Sequence, residues 1–457
     1  MANHQPNVLI FLPHDLGDTL GCYGHATVRS PRLDGLAAQG VRFANYFTPA
    51  PECTPSRGCM FTGLYTHQNG LMGLSNFGWE LVPEAPHLAQ RFREGGYQTY
   101  LFGLQHETAK PPTALGYEHV AAQQDRSVGA VCGELRDFLR SEAARGETPW
   151  FACAGFFDVH RPWRTEPTFT PEEVAVPPYL PDTPVVREEL ARFHQNILDM
   201  DAAVGGALDA LDAAGLREDT LVIFTTDHGC GFPRAKATFY DPGVHLPLIM
   251  HWPGRIDGGA VYPQLQSNID LTPTLLELCG LPAPEGIAGR SMAPLLRGET
   301  REGRDAVFGS LQYDVSYDPM HYVRTDRYKY IRSFAVTPEE AAGADPEVLA
   351  THAAGQWVRV DDFDVMASKT WQSLAGDWPK PPPEELYDLQ ADPVEQHNLA
   401  GDPAYGEVLA DMRRRLREMM ERTNSPLLHG HVPPTPEQRQ AAARYQPGGP
   451  MYREIRT

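Results

Sequence analysis

Four short, largely apolar runs, each leading into an acid or a histidine, constrain this chain more than any other feature. Residues 8–12 lead to His14-Asp15, 98–102 to His106, 150–154 to His160, and 221–226 to Asp227-His228. Runs of this length and character read as strands buried on both faces. Between them the pattern is helical. Ser30-Pro31 offers an N-cap followed by a proline at the first helical position, and Gly40 stops that helix. Gly95-Gly96 ends another, and residues 187–214 form a long amphipathic stretch that feeds the fourth run. Strands alternating with helices predict an α/β catalytic domain over residues 1–300, built on a large mixed, mostly parallel sheet flanked by helices. Ligands bind such sheets beyond the carboxyl ends of the strands. Asp15, His106, His160 and Asp227 are therefore expected on one rim.

Past residue 296 the character changes. Short antiparallel strands are predicted over 306–312, 321–324 and 328–332, then a proline- and acid-rich stretch, then a helix over 403–422 rich in Arg and Met. These compose a smaller α+β subdomain over 301–425. Residues 426–457, with Pro433-Pro-Thr-Pro and Gly448-Gly-Pro, read as an extended tail, long enough to pack on a neighbouring copy. Charge narrows the partners: 39 Lys+Arg against 59 Asp+Glu leave a net charge of -20. That balance excludes nonspecific nucleic-acid binding and attraction to an anionic membrane, and no apolar run is long enough to span a bilayer. An anionic substrate must then be drawn in by a local cluster of cations. Seven scattered cysteines and a start, Met1-Ala-Asn-His-Gln-Pro, without signal-peptide character predict a reducing cytoplasm. Cys132, Cys153 and Cys279 are expected to be core residues.

Cys53-Thr-Pro-Ser-Arg57 carries the chemistry. It fits C-x-P-S-R, the signature read by enzymes that oxidise the cysteine to formylglycine. A helix is predicted to start near Pro55, and its N-terminus favours an anion beside residue 53, including an unmodified thiolate. The order of motifs, from Asn7-Val-Leu-Ile-Phe-Leu-Pro-His-Asp15 through the pentapeptide to Leu221-Val-Ile-Phe-Thr-Thr-Asp227-His228-Gly, resembles the sulfatase family of the alkaline phosphatase superfamily over residues 7–425. The likeness is strongest to the family's N-sulfohydrolase branch, on His67-Gln-Asn-Gly, Thr220-Leu-Val-Ile-Phe-Thr, Gly231-Phe-Pro, Val307-Phe-Gly-Ser and Glu385-Leu-Tyr-Asp.

That resemblance implies an alkaline-phosphatase-like fold and hydrolysis of a sulfate ester or sulfamate on a small sugar or aryl compound. It implies a formylglycine at Cys53 whose hydrate attacks sulfur, forms a covalent sulfate ester and regenerates the aldehyde as sulfate leaves. Arg57 becomes the partner of the diol and the sulfate oxygens. One divalent cation is implied, held by His14, Asp15, Cys53, Asp227 and His228. The family's usual oxygen ligands bind calcium, whereas the imidazoles of His14 and His228 suit manganese or zinc, so all three stay open. Lys236, with Arg234 competing for the role, is expected to bridge the sulfate. His160 is expected to protonate the leaving atom, with Asp158 holding a substrate hydroxyl or orienting His160. His106 stands where the family has G-K-x-H, but Leu104 replaces the lysine, and Lys110 is the nearest cation in sequence. Trp79, Tyr313, Tyr317 and Trp371 could stack on a substrate ring, although such residues are more often core. The implied partners are a small anionic substrate and a formylglycine-generating enzyme. A phosphonate monoester or phosphodiester hydrolase of the same superfamily is the alternative, and a catalytically silent binding protein is a more distant one.

Overall fold

The structure, a computed structural model, describes residues 5–163, 165–314, 317–334, 365, 368–374 and 382–445. Most of the proline- and acid-rich stretch and Gly448-Gly-Pro lie outside the described residues. Twelve strands are described, in two sheets. In chain order they are β1 (Asn7–Leu12), β2 (Val41–Phe47), β3 (Gln98–Gly103), β4 (His119–Ala121), β5 (Trp150–Gly155), β6 (Thr220–Thr225), β7 (His245–His251), β8 (Val261–Ser267), β9 (Val307–Tyr313), β10 (Tyr317–Arg324), β11 (Tyr328–Ser333) and β12 (Glu384–Asp388).

The large sheet has the order β4-β3-β5-β1-β6-β7-β2-β8. Strands β4, β3, β5, β1 and β6 are parallel, which points their carboxyl ends to one rim. Strand β7 is antiparallel to both β6 and β2, so β2 regains the direction of β6 and delivers the chain to that same rim just before Cys53. Strand β2 does not announce itself in the sequence, because Arg42 and Asn45 interrupt its apolar run, and β7 carries Pro247 inside its own. The central strands do announce themselves, because both faces are covered. Leu9 and Phe11 of β1 face a core shared with helices Pro31–Gln39, Val128–Arg140 and Pro184–Ala213. Val8, Ile10 and Leu12 face the opposite core, shared with Cys53–Thr62, Leu88–Glu94 and Leu271–Leu278.

The small sheet is antiparallel, β12-β11-β10-β9. One face carries helix Gly406–Arg422 through Leu409, Met412, Leu416 and Met419. Its other face meets the large domain around Phe47, Phe239 and Val244. The predicted tail is not wholly extended: Pro436–Tyr445 is helical. Near it Trp79 donates to Gln438 Oε1 at 3.0 Å and clusters with Tyr313, Tyr317 and Val432. With Trp371 also buried, all four aromatic residues considered as ring platforms are core. The seven cysteines are all free, and six are buried. Among the described residues no helix is long and apolar enough to cross a membrane.

Candidate active site

Strand β2 ends at Phe47 and the chain turns through Thr48–Glu52 into helix Cys53–Thr62, every residue of which is buried. The helix starts at Cys53 itself, two residues before Pro55. The pentapeptide explains its own placement. Ser56 Oγ donates to the Asp227 carbonyl at 2.5 Å and meets Thr48 Oγ1 at 2.8 Å, while Asn268 Nδ2 reaches it at 3.0 Å. Thr54 Oγ1 donates to the His106 carbonyl at 2.6 Å. Two hydroxyls of the motif therefore pin the helix to the loops after β6 and β3. Cys53 Sγ lies 3.2 Å from His228 Nε2.

Around residue 53 the ligand atoms of His14, Asp15, Cys53 and His228 all lie within 4.8 Å of one another, and all four residues are buried. Asp15 is held at φ 53°, a left-handed backbone that a β-carbon makes costly and that is common where a functional side chain must be aimed. After His228 the chain passes so close to the 242–243 turn that a β-carbon on Gly229 would stand 2.0 Å from the Pro242 carbonyl oxygen. Asp227 stands beside the quartet and organises it. Its Oδ1 accepts the Asp15 and His228 amides at 3.2 and 2.9 Å, and its Oδ2 lies 3.2 Å from Arg57 Nε and 3.1 Å from His14 Nδ1.

The electrostatics fit a cation. Burial would raise the Asp15 carboxyl, but His160, Lys236 and His228 outweigh it and hold the group well below the ordinary carboxylate range. Asp227 is likewise held low against its burial by His14, His228 and Arg57. Burial lowers the His14 imidazole to about 4, which leaves it neutral, the form that ligates a metal. Among the described residues neither His14 ring nitrogen nor Asp15 Oδ1 completes a hydrogen bond, although His14 Nδ1 faces Asp227 Oδ2 at 3.1 Å and Asp15 Oδ1 faces His228 Nε2 at 3.3 Å. Buried polar atoms left in that state are costly unless something else meets them. The mixed imidazole and carboxylate set fits one divalent ion, and manganese or zinc suits its nitrogens. For the unmodified cysteine, burial pushes the thiol well above its usual value, Lys236 opposes it, and Asp15, Asp227 and Glu52 add to it.

The remaining candidates divide. Lys236 Nζ sits 3.0 Å from Asp15 Oδ2 and 3.3 Å from His160 Nε2. The His106 ring lies edge-on to His14 at 5.5 Å, and burial, with His14 and Arg57 adding, keeps it neutral. Arg57 is fully buried between Asp227 and Glu107, whose Oε1 is 3.8 Å from its Nη1. Two residues named from the sequence do not join the site. Arg234 is turned away: its guanidinium donates to the Glu395 carbonyl at 2.7 Å and covers the Tyr240 ring at 3.9 Å. Asp158 Oδ2 accepts the Val128 amide at 2.6 Å, so its carboxylate caps helix Val128–Arg140. Lys110 pairs with Glu80 and Leu104 is buried, so neither supplies the missing lysine's charge. Glu107 is the residue that sequence reasoning passed over. Its Oε2 accepts the His106 amide at 2.7 Å, and the only signal available was an acid directly after a motif histidine.

Comparison with known proteins identifies the family. The sulfatase family model matches residues 6–281, and a model for the C-terminal part of N-sulphoglucosamine sulphohydrolase matches 232–344. N-sulphoglucosamine sulphohydrolase of Homo sapiens is 28% identical, over 92% of this chain and 91% of its own length. A solved 2-O GAG sulfatase superposes with a TM-score of 0.71 at 23% identity, covering 95% of this chain and 96% of that one. The phosphonate monoester hydrolase of Agrobacterium radiobacter superposes with a TM-score of 0.71 at 21% identity, covering 92% and 96%. At those identities the two structures speak to the shared alkaline-phosphatase-like fold alone.

Proposed function

The chain belongs to the sulfatase family of sulfuric ester hydrolases, and from that premise we propose that it hydrolyses a sulfate ester or sulfamate of a small sugar or aryl compound. Residue 53 serves as nucleophile after a maturation enzyme has oxidised it to formylglycine. One observation carries the reading: Cys53, with Arg57 and Lys236 as buried cations and His160 beside Lys236, converges on the His14, Asp15, His228 ligand set at a single sheet rim.

Each side chain has a distinct task. The hydrate of residue 53 delivers an oxygen to sulfur, and the bond from sulfur to the leaving atom breaks as His160 gives that atom a proton. Departure of sulfate then restores the aldehyde, with the second hydroxyl losing its proton. Arg57 and Lys236 face the sulfate oxygens, where charge grows. His14, Asp15, residue 53, Asp227 and His228 would hold the divalent ion, calcium by family habit and manganese or zinc by ligand type. When bound, that ion acts as a Lewis acid toward the anionic oxygens. Asp227 also aligns Arg57 with the nucleophile. A cytoplasmic enzyme of this kind acts on small fragments and shows negligible turnover of a sulfated polymer.

The deciding experiment joins two readings on protein from its native host: the mass of the peptide spanning residue 53, and release of sulfate or phosphonate from matched aryl esters. We expect the mass change of thiol-to-aldehyde conversion and faster sulfate than phosphonate release. The absence of Lys at Leu104 favours the phosphonate alternative, and faster phosphonate turnover would establish it. Active protein with an unmodified cysteine would remove the formylglycine mechanism.

A further inference from the structure

Strand β5 runs out into Phe156-Phe157-Asp158, and the three side chains part ways. Phe156 is buried in the core, Asp158 caps helix Val128–Arg140, and Phe157 stays 40% exposed. Among the described residues only Val261, on strand β8, is a comparably exposed large hydrophobic. Phe157 is not loose. Its amide donates to the Arg126 carbonyl at 2.9 Å, its carbonyl accepts the His160 amide at 2.9 Å, and Asp158 next to it accepts the His14 amide at 3.1 Å. Its ring lies 4.3 Å from the His160 ring, and it stacks on His14 at 5.7 Å.

We propose that Phe157 is the platform for the leaving group, and that it selects esters whose leaving group carries a planar apolar ring, an aryl group in preference to a polyhydroxylated sugar. The inference deepens the sulfatase reading and rests on it. A fixed aromatic ring left in water beside two site imidazoles gains by covering its free face, and ring stacking adds to the area buried. Sugar hydroxyls instead need buried polar partners, because an unpaired one loses its hydration without return. The group that sequence offered for that role, Asp158, is committed to a helix cap, and Arg234, offered for the sulfate, is turned to the Glu395 carbonyl. The aromatic residues it offered as platforms, Trp79, Tyr313, Tyr317 and Trp371, are all buried. Among the described residues Phe157 is the exposed aromatic ring beside the site imidazoles.

Equilibrium binding of benzenesulfonate and methanesulfonate, which share an anionic head and differ by the ring, tests this on the full-length protein. We expect the wild type to prefer the ring by about ten-fold. Phe157→Ala should bring the two within about two-fold, and Phe157→Trp should keep the preference, which also guards against a merely misfolded alanine variant. In turnover, the alanine variant should raise KM for an aryl sulfate and leave KM for a glucosamine sulfate in place. An unchanged ring preference in Phe157→Ala, no preference in the wild type, or equal KM increases for both esters would overturn the proposal. Failure of the sulfatase reading would show separately, as absence of sulfate release from any ester while ring-selective binding persists.

Discussion

Arg57 shows how much one side chain of the pentapeptide is asked to do. It is fully buried, its Nε is 3.2 Å from Asp227 Oδ2, and neither terminal nitrogen has a hydrogen-bond partner among the described residues. Such donors stand ready for oxygens that arrive with substrate, and a planar fork meets two of them at once. Lysine cannot reproduce that fork. Arg57→Lys should therefore lower kcat/KM for a sulfate ester by about a hundred-fold or more, the loss typical of removing a donor aimed at developing charge. Steady-state kinetics with the peptide mass at residue 53 checks this, and full oxidation with unchanged kcat/KM would sink it. Glu107→Gln, which keeps the shape behind Arg57, should cost less, about ten-fold, chiefly in kcat. At this scale the sequence was readable wherever a motif fixes spacing, in that Cys53, Arg57 and Asp15 do come together, whereas the choice between Lys236 and Arg234 waited for the fold. It was not readable for Asp158 or Arg234, because a carboxylate beside a strand end caps a helix as well as it binds a hydroxyl. Nor does a sequence say which way a loop guanidinium turns.

At the scale of elements, the central strands were legible because both their faces are covered, which leaves β1, β5 and β6 with apolar cores. Strand β2 alternates buried with half-buried polar positions and gave no such run, and β7, although buried, carries Pro247 within its apolar stretch. The long helix was also legible, beginning at Pro184 and not at residue 187 because Thr183 caps it, its Oγ1 accepting the Val186 amide at 3.3 Å. What the pattern could not disclose is how that helix reaches the catalytic loop. Arg161, next to His160, forms a two-pronged pair with Glu189 of the helix at 2.8 and 3.1 Å. The same carboxylate accepts the amides of Lys369 and Thr370 at 3.2 and 3.1 Å. Three segments thus meet on one buried group, and breaking such a pair strands a buried charge. Glu189→Gln should destabilise the fold by about 3 kcal/mol at neutral pH. Burial raises the Glu189 carboxyl, but Arg161 and the Thr370 contacts outweigh it and hold the pKa below its ordinary value. Its stabilisation is therefore complete above the unfolded-state value near 4.5 and is lost as pH falls through the lowered folded value. Urea unfolding at pH 7 and below 4 should show the gap between wild type and variant closing on the acid side. A gap independent of pH would refute the role assigned to the carboxylate.

For the molecule as a whole, the question is why the small sheet is there at all. It contributes none of the side chains around residue 53, yet it abuts the loop that carries the nucleophile. Ser310 of β9 donates its amide to the Pro49 carbonyl at 2.8 Å, and Tyr322 Oη donates to the Thr48 carbonyl at 2.8 Å. Deeper in the joint, Lys329 is fully buried and reaches the Phe239 carbonyl at 2.9 Å and Glu395 at 2.7 Å. Strand β9 comes so close that a β-carbon on Gly309 would stand 2.0 Å from the Pro49 carbonyl oxygen and 2.4 Å from Tyr322 Cε1. The sequence hinted at the subdomain through its short strands and at Val307-Phe-Gly-Ser as a shared motif, but a contact between residues 49 and 309 has no local signature. Gly309→Ala must push β9 away from Thr48–Glu52, since the obstacle is backbone. Overpacking of this kind costs about 1–3 kcal/mol. Because Cys53 and the Ser56 anchor follow that loop directly, activity should fall further than stability predicts, with kcat reduced at temperatures where the variant is still fully folded. Tyr322→Phe is the control: it removes one hydrogen bond across the same joint, worth about 1 kcal/mol, and leaves the spacing alone. If both variants lose stability and Gly309→Ala keeps wild-type kcat, the small sheet only buttresses the fold. If kcat falls in Gly309→Ala alone, the small sheet sets the position of the nucleophile.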